Sequence, residues 1–456
     1  MKSLDDWLAY ISAQHPSTIA LGLDRVREVL GRMALGPVIP AASVIPASVI
    51  PAASVIPASV IPAASVIPVI PAEAGIHCCV ITVGGTNGKG STCAMLETIL
   101  LEAGYRVGTY TSPHILRYNE RVRLQGEDAD DETLVRSFER VEAARGATPL
   151  TYFEFGTLAA FAVFAEAGVE AMVLEVGLGG RLDAVNVVDA DCSIVVSVDI
   201  DHVELLGGDR ESIGFEKAGI FRAGRPAIFG AANPPARLVE HARSIGADLQ
   251  VLGRDFRVET HPGQWDFIGR RGAKHALPVP ALRGRWQLDN AAAAMAALDE
   301  LAGRLPVSLG EVKRGLANVR LPGRLQSLPG RPQVVLDVAH NPHAARALAD
   351  ALGDMGFFEN TYAVFAMLAD KDIGGVVDAV KSRIDAWYVA ASESERAAPA
   401  TRVAEILGEH GVRSPVRTFA NVEAALAAAR GEAGSNDRIV VFGSFTTVAE
   451  ALRTAR

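Results

Sequence analysis

Eight consecutive residues, Gly84-Gly85-Thr86-Asn87-Gly88-Lys89-Gly90-Ser91, restrict the fold of this chain more than any other stretch. They lie between a short apolar run, residues 78–83, and a helix-patterned run, residues 91–103, that Gly104 closes. An apolar run of that length ending in glycine reads as a buried parallel strand. A glycine just past a periodic run is a helix stop. Strand, glycine loop and helix in that order are the setting of a phosphate-binding loop. Glycine lets the backbone curl until several N–H groups face one anion, and the helix N-terminus adds its dipole. Lys89 supplies a point charge for β- and γ-phosphates, and the Ser91 hydroxyl suits Mg²⁺. One residue departs from the ordinary Gly-Lys-Ser/Thr pattern: Gly90 stands between Lys89 and Ser91.

The remaining sequence alternates strand and helix patterns. Strands are expected at 107–110, 171–176 and 192–198, and a helix over 152–167 ended by Gly168. Residues 1–35 read as helical, with apolar stripes at Trp7, Leu8 and Ile11 and at Val26, Val29 and Leu30. Residues 282–304 also read as a helix. Beyond Leu321-Pro322-Gly323-Arg324 a second alternation begins, with strands at 334–338, 362–366, 387–390 and 439–442. Alternation of this kind means α/β architecture with mostly parallel sheets. The expected division is an ATP-binding domain over residues 1–320 and a smaller Rossmann-like α/β domain over 325–456. A chain of 456 residues is long enough for two cores.

Between Pro37 and Pro71 the sequence alternates Val-Ile-Pro-Ala-Ala-Ser and Val-Ile-Pro-Ala-Ser, without charge. Proline recurs at 40, 46, 51, 57, 62 and 68. Each interior proline costs a helix about 3 kcal/mol, so this apolar stretch is not a membrane helix. Proline cannot donate to a sheet ladder either, which leaves extended or irregular chain. The expectation is a tolerated insertion over about 37–76, since lengthening a loop costs closure entropy only logarithmically.

Composition removes other classes. The formal net charge of −9 argues against nucleic-acid binding, which depends on Lys and Arg at phosphates. The four cysteines, Cys78, Cys79, Cys93 and Cys192, show no zinc spacing and read as reduced core thiols, which suits a cytoplasmic enzyme. The first residues carry acids and no apolar core, so no secretory leader and no membrane association are expected.

Two further sets of polar residues sit where strands end. Ser112, Glu175 and His202 each follow or close an apolar strand, where parallel sheets gather their ligands. Together they could hold Mg²⁺, although separately they read as a turn cap, a solvated strand end and a loop histidine. Asp337-Val338-Ala339-His340-Asn341-Pro342-His343 follows a strand of the second alternation. Asn341 with Pro342 behind it also reads as a helix cap and first helical residue.

These motifs resemble the Mur-ligase superfamily and, more narrowly, the folylpolyglutamate synthases and bacterial bifunctional dihydrofolate synthases. The resemblance rests on the glycine loop, Thr111-Ser112-Pro113-His114, Thr151-Tyr152-Phe153-Glu154, residues 174–183 and Asp201-His202. It continues through residues 216–221, 321–324, 337–343 and Gly443-Ser444-Phe445. It implies a Mur-ligase-type ATPase domain followed by a glutamate-ligase domain. It implies ATP-dependent ligation of L-glutamate to dihydropteroate and to reduced folates such as tetrahydrofolate, through an acyl phosphate. Thr86, Asn87, Gly88, Lys89, Gly90 and Ser91, with Asn290, Arg324, Asp337 and His340, would bind ATP. Ser112, Glu175, His202 and Ser91 would bind Mg²⁺, two ions in all, and K⁺ is a further expected ion. Lys89, His202 and Lys217 would be catalytic, Lys217 as the carbamylated lysine. Thr151, Tyr152, Phe153, Glu154, Leu182, Asp183 and Ala184 would line the pterin pocket. The resemblance also implies a monomer that binds small molecules.

Rival readings are a peptidoglycan-precursor or cyanophycin-type ligase, a P-loop phosphotransferase, and a chain disabled by its insert. The Thr151–Glu154 segment opposes the first. The sequence has no Asn-Lys-x-Asp base-reading motif, which opposes a switch GTPase. The intact Lys89, Glu175, His202 and Lys217 oppose the last.

Overall fold

Unbroken apolar strands need cover on both faces, and the first sheet meets that need with helices on each side. The computed structural model describes residues 2–15, 19–35 and 78–454. The expected insert over about 37–76 therefore lies outside the described residues. The strands of the first sheet are β1 (Cys79–Gly84), β2 (Val107–Tyr110), β3 (Val122–Leu124), β4 (Glu127–Asp128), β5 (Ala171–Glu175), β6 (Cys192–Val195), β7 (Pro226–Phe229) and β8 (Asp248–Val251). Their order is β4-β3-β2-β5-β1-β6-β7-β8. All pairs are parallel except β2–β3 and β3–β4 at one edge.

Side-chain alternation along β5 shows how the layers form. Met172 and Leu174 join a core with Leu134, Phe138, Leu158 and Phe161 of helices Asp131–Arg145 and Tyr152–Ala167. Ala171 and Val173 face the opposite core, built on helices Lys89–Glu102 and Trp286–Glu300. The N-terminal stretch expected to be helical forms two helices, Leu4–Ser12 and Asp24–Met33. Trp7 packs its ring 6.1 Å from Phe138 and 6.4 Å from Phe155. The break between the helices has a local cause. The Gly22 N–H donates to the Leu182 carbonyl at 3.2 Å, so this segment docks on the loop after β5 rather than continuing a helix.

Strands β9 (Arg257–His261), β10 (Gln264–Gly269) and β11 (Gly272–Pro278) form a separate antiparallel sheet that the sequence reading did not anticipate. Its strands are largely exposed, and Trp265, Phe267 and Leu277 are the side chains it commits to the core. The last sheet contains β12 (Gln326–Leu328), β13 (Gln333–Leu336), β14 (Thr361–Phe365), β15 (Ala386–Ala390), β16 (Val416–Phe419) and β17 (Arg438–Phe442). Its order is β12-β13-β17-β14-β15-β16, parallel apart from β12. It has its own core on each face. The four cysteines are buried and free, in keeping with core thiols. Among the described residues, no helix is long and apolar enough to cross a membrane.

The helix that begins at the glycine loop is pressed from outside by helix Leu309–Asn318. A Cβ on Gly315 would lie 2.5 Å from Ile99 Cγ1 and 2.7 Å from Ile99 Cα. Backbone cannot yield as a flexible side chain can. Gly315→Ala should therefore destabilise the protein by about 1–3 kcal/mol in urea unfolding, despite alanine's better helix propensity. Gly31→Ala, with nothing within 4 Å of the added carbon, should instead be neutral or stabilise by about 0.5–1 kcal/mol.

Candidate active site

The glycine loop leaves β1 and is fastened to the segment that follows β6. The Thr86 N–H donates to the Ser197 carbonyl at 2.9 Å, and the Asn87 N–H to Ser197 Oγ at 3.1 Å. Thr86 Oγ1 donates to the Asp199 carbonyl and accepts from the Asp199 N–H, both at 3.0 Å. Gly88 has φ +90°, and a Cβ there would stand 2.5 Å from Asn290 Oδ1 and 2.8 Å from Val196 Cγ1. Both its conformation and its neighbours demand glycine. Lys89 Nζ donates to the Gly85 and Thr86 carbonyls at 3.1 Å, so the charge is folded over the loop. Ser91 is buried, with Oγ 3.3 Å from Gln287 Nε2, and Gln287 in turn accepts from Asn290 Nδ2 at 2.9 Å.

Glu175 ends β5 beside this loop. It is buried, and its Oε2 accepts the Ser112 N–H at 3.1 Å. Burial pushes its carboxyl above the ordinary range; Lys89, the Ser112 N–H and Arg324 oppose the rise. A Cβ at Gly90 would lie 3.8 Å from Glu175 Oε2 and 3.6 Å from Arg324 Nη2, so the loop backbone comes directly against both groups. Lys217 ends helix Arg210–Ala218 and is 5% exposed. Burial, and then the neighbouring Lys89, pulls its amine down to about 7. The Gly177–Asp183 turn holds this helix close: a Cβ on Gly180 would meet the Glu216 carbonyl at 2.8 Å.

The last sheet presents its own strand ends to the same space. Asp337 follows β13, and its two oxygens accept the Leu325 and Ala339 N–H groups, each at 2.8 Å. His340 Nδ1 is 2.8 Å from the Val338 carbonyl, which makes Nδ1 the donor, and Nε2 lies 3.9 Å from Asp201 Oδ2. Asn341 caps helix Pro342–Asp354 through the Ala344 N–H, with Pro342 at its start, as the sequence predicts. The Asn341 amide does more. It forms a reciprocal pair with Asn87, 3.1 Å in each direction, and reaches Asp201 Oδ2 at 3.2 Å. Lys371, in the loop after β14, donates to Asp201 Oδ1 at 2.7 Å and lies 3.5 Å from His202 Nε2. Burial alone would raise the Asp201 carboxyl, yet His202, Lys371 and His340 hold it far below the ordinary range. His202 adopts φ +53°, and burial lowers its imidazole to about 4.

All the residues assigned above to ATP, Mg²⁺ and catalysis line one cavity of about 670 Å³. A smaller cavity of about 250 Å³ adjoins it. Thr151, Phe153, Glu154, Leu182, Asp183 and Ala184 line this second space, with Ile19 to Gly22 forming another wall. Tyr152 is not in its wall; its ring packs edge-on to Tyr118 at 5.9 Å instead. Thr151 and Glu154 also form a capping box, and Glu154 pairs with Arg25 at 2.7 Å, so their polar atoms are largely committed. Burial pushes the Asp183 carboxyl up to about 7 against the pull of the Leu178, Val185 and Gly177 N–H groups. Ser112, Pro113, Arg121, Gly177, Leu178 and His202 belong to both walls. Sequence reasoning passed over Arg121, Trp286, Asp289, Lys371 and Arg396, which all face the larger cavity. The rule that ligands collect after parallel strands would have found Lys371 and Arg396, which follow β14 and β15.

Comparison with known proteins gives the family. The Mur ligase middle domain matches residues 83–298, and the Mur ligase glutamate ligase domain matches residues 323–445. The dihydrofolate synthase/folylpolyglutamate synthase of Escherichia coli (strain K12) is 41% identical over 449 residues, 98% of this chain and 94% of that protein. The chain belongs to the dihydrofolate synthase/folylpolyglutamate synthase family. Solved structures of the family agree. That of E. coli FolC in complex with DHPP and ADP superposes with a TM-score of 0.86 at 41% identity, covering 99% of this chain and 97% of the other. A bifunctional folylpolyglutamate synthase/dihydrofolate synthase with Mn, AMPPNP and L-glutamate bound gives 0.84 at 40% identity, covering 99% and 98%. The resemblance carried by the sequence motifs is borne out, and so are the expected paired α/β domains.

Within this family member the Asp201–Lys371 pair joins the two sheets through charges that are 12% and 8% exposed. A double-mutant cycle of Asp201→Asn and Lys371→Met should show a coupling of about 1–3 kcal/mol in urea unfolding at neutral pH. Coupling below about 0.5 kcal/mol would mean that the pair does not fasten the sheets together.

Proposed function

We propose that this protein uses ATP to ligate L-glutamate to dihydropteroate and to reduced folates through an acyl phosphate. The observation that carries the reading is the wall shared by the two cavities. One cavity has the groups needed for a nucleoside triphosphate; the other is an apolar slot with a carboxylate, Asp183, in its lining. An acceptor lying in the slot would bring its own carboxylate through the shared wall toward the glycine loop. A division of the chain at residues 320–325 belongs to this reading, and it is supported by the two large sheets being hydrogen-bonded separately among the described residues. So do a cytoplasmic location and a monomeric state.

The roles follow from the geometry. Loop N–H groups and Lys89 hold the β- and γ-phosphates, while Asn290, Arg324, Asp337 and His340 grip the nucleotide from both sheets. A carboxylate is a poor electrophile until one oxygen becomes a phosphate leaving group. Its oxygen attacks the γ-phosphorus and ADP leaves. The glutamate amine then attacks the acyl carbon and phosphate departs. Lys89 and Arg324 stabilise the charge that spreads over the transferred phosphoryl group.

The residues present suit Mg²⁺. Hard cations of this kind take one or two carboxylates and complete their shell with hydroxyls, water and substrate phosphates. Glu175 is a buried carboxylate whose one observed hydrogen bond comes from the Ser112 N–H, and Ser91 and Ser112 lie in the same wall. These residues, with His202, would hold two ions. When bound, such ions neutralise phosphate charge. Lys217 would be carbamylated, because an amine brought down to about 7 offers the neutral form that adds CO₂, and the carbamate is an anion.

Three outcomes test the reading. ADP should be released with L-glutamate plus dihydropteroate, and with L-glutamate plus tetrahydrofolate, and removing Mg²⁺ with EDTA should abolish both. Lys89→Met should lower kcat by about 100- to 1,000-fold. Lys217→Glu, which retains an anion, should keep more activity than Lys217→Met. No ADP release with either acceptor would overturn the proposal.

A further inference from the structure

Arg121 has no role in the motifs, yet it occupies the wall between the two cavities. Among the described residues it is the one Lys or Arg in the lining of the smaller cavity, and it also faces the larger. Two neighbours hold its side chain. Nε donates to His114 Nδ1 at 2.9 Å, and the guanidinium carbon lies 5.6 Å from the Tyr118 ring and 5.5 Å from the Tyr152 ring. The backbone is fixed as well, since the Arg121 carbonyl accepts the Thr111 N–H at 2.9 Å. Among the described residues no carboxylate lies within ion-pair distance of Arg121. The guanidinium is thus oriented through one nitrogen and by stacking, while its other two nitrogens carry no hydrogen bond to the described residues.

We propose that Arg121 binds the terminal carboxylate of the acceptor and aims it at the glycine loop. The inference rests on the acceptor reading given above. Both carboxylates in the lining of the smaller cavity are committed elsewhere: Glu154 to Arg25, and Asp183 to backbone N–H groups. A carboxylate-bearing ligand entering this slot therefore finds its cationic partner in Arg121, at the wall shared with the glycine-loop cavity. That placement turns the ligand's carboxylate toward the glycine loop. Guanidinium offers parallel donors that match the two carboxylate oxygens, which a lysine ammonium does not. Tyr152 gains a function here. It is absent from the cavity wall and instead forms, with Tyr118, the surface against which the guanidinium rests.

The test compares Arg121→Met and Arg121→Lys with the unaltered enzyme under saturating ATP. KM for dihydropteroate should rise about 10- to 100-fold in Arg121→Met and less in Arg121→Lys, while KM for L-glutamate stays within about twofold. Binding of an acceptor analogue whose carboxylate is replaced by hydrogen should be the same in unaltered and Arg121→Met protein, measured by calorimetry. An unchanged acceptor KM, or an equal loss with the carboxylate-free analogue, would overturn the assignment; the latter would mean that Arg121 only shapes the slot. If the unaltered enzyme failed to turn over, the acceptor reading itself would fall instead.

Discussion

Parallel register is the constraint from which the site follows. Val83 on β1 lies opposite Glu175 on β5, and Tyr110 on β2 opposite Leu174. Gly84 lies opposite Val195 on β6. The glycine loop, Ser112, Glu175 and the 197–202 segment must then leave the sheet at the same edge. A shift of one residue in any pair would turn each side chain to the other face and move Glu175 into a helix-covered core. The buried alternation along β5, with both faces fully packed, makes such a shift prohibitive. Chemistry at the strand ends is thus secured by hydrophobic packing in the strand middles.

The last sheet obeys the same rule from the other side. Asp337 follows β13, Lys371 follows β14, Arg396 follows β15 and Ser444 follows β17, and all four face the larger cavity. Two carboxyl-terminal edges meet across one space. The polar groups between them satisfy each other to a large extent: Asn87 with Asn341, Asp201 with Lys371, Asp199 with Arg346 at 3.3 Å. Leaving Asp201 or Lys371, the most enclosed of these charges, unpaired would cost more than the pair itself contributes. Such contacts define a geometry more than they add stability, and a site split over two sheets needs a defined geometry.

Most of this was legible in the chain. The glycine loop, the strand-end residues and the Asn341 cap are local patterns, and local patterns survive folding. The sheet of β9 to β11 was not legible, because its strands bury few side chains and show little apolar contrast. Arg121 and Tyr152 were obscure for a different reason. Their placement arises from packing between the short 3-10 helix Tyr118–Arg121 and the helix Tyr152–Ala167, which no spacing along the chain reveals. Lys217 is the sharpest case. Its sequence surroundings suggest a surface helix, and only the enclosed wall around it explains an amine brought down to about 7.

The central claim is that the acceptor carboxylate itself takes the phosphoryl group inside this two-cavity site. Transfer of oxygen is the most direct measure. With dihydropteroate carrying ¹⁸O in its carboxylate, one labelled oxygen should appear in the inorganic phosphate for each amide formed. Amide formation with unlabelled phosphate would contradict the account, since the acyl oxygen would then never have been bonded to phosphorus.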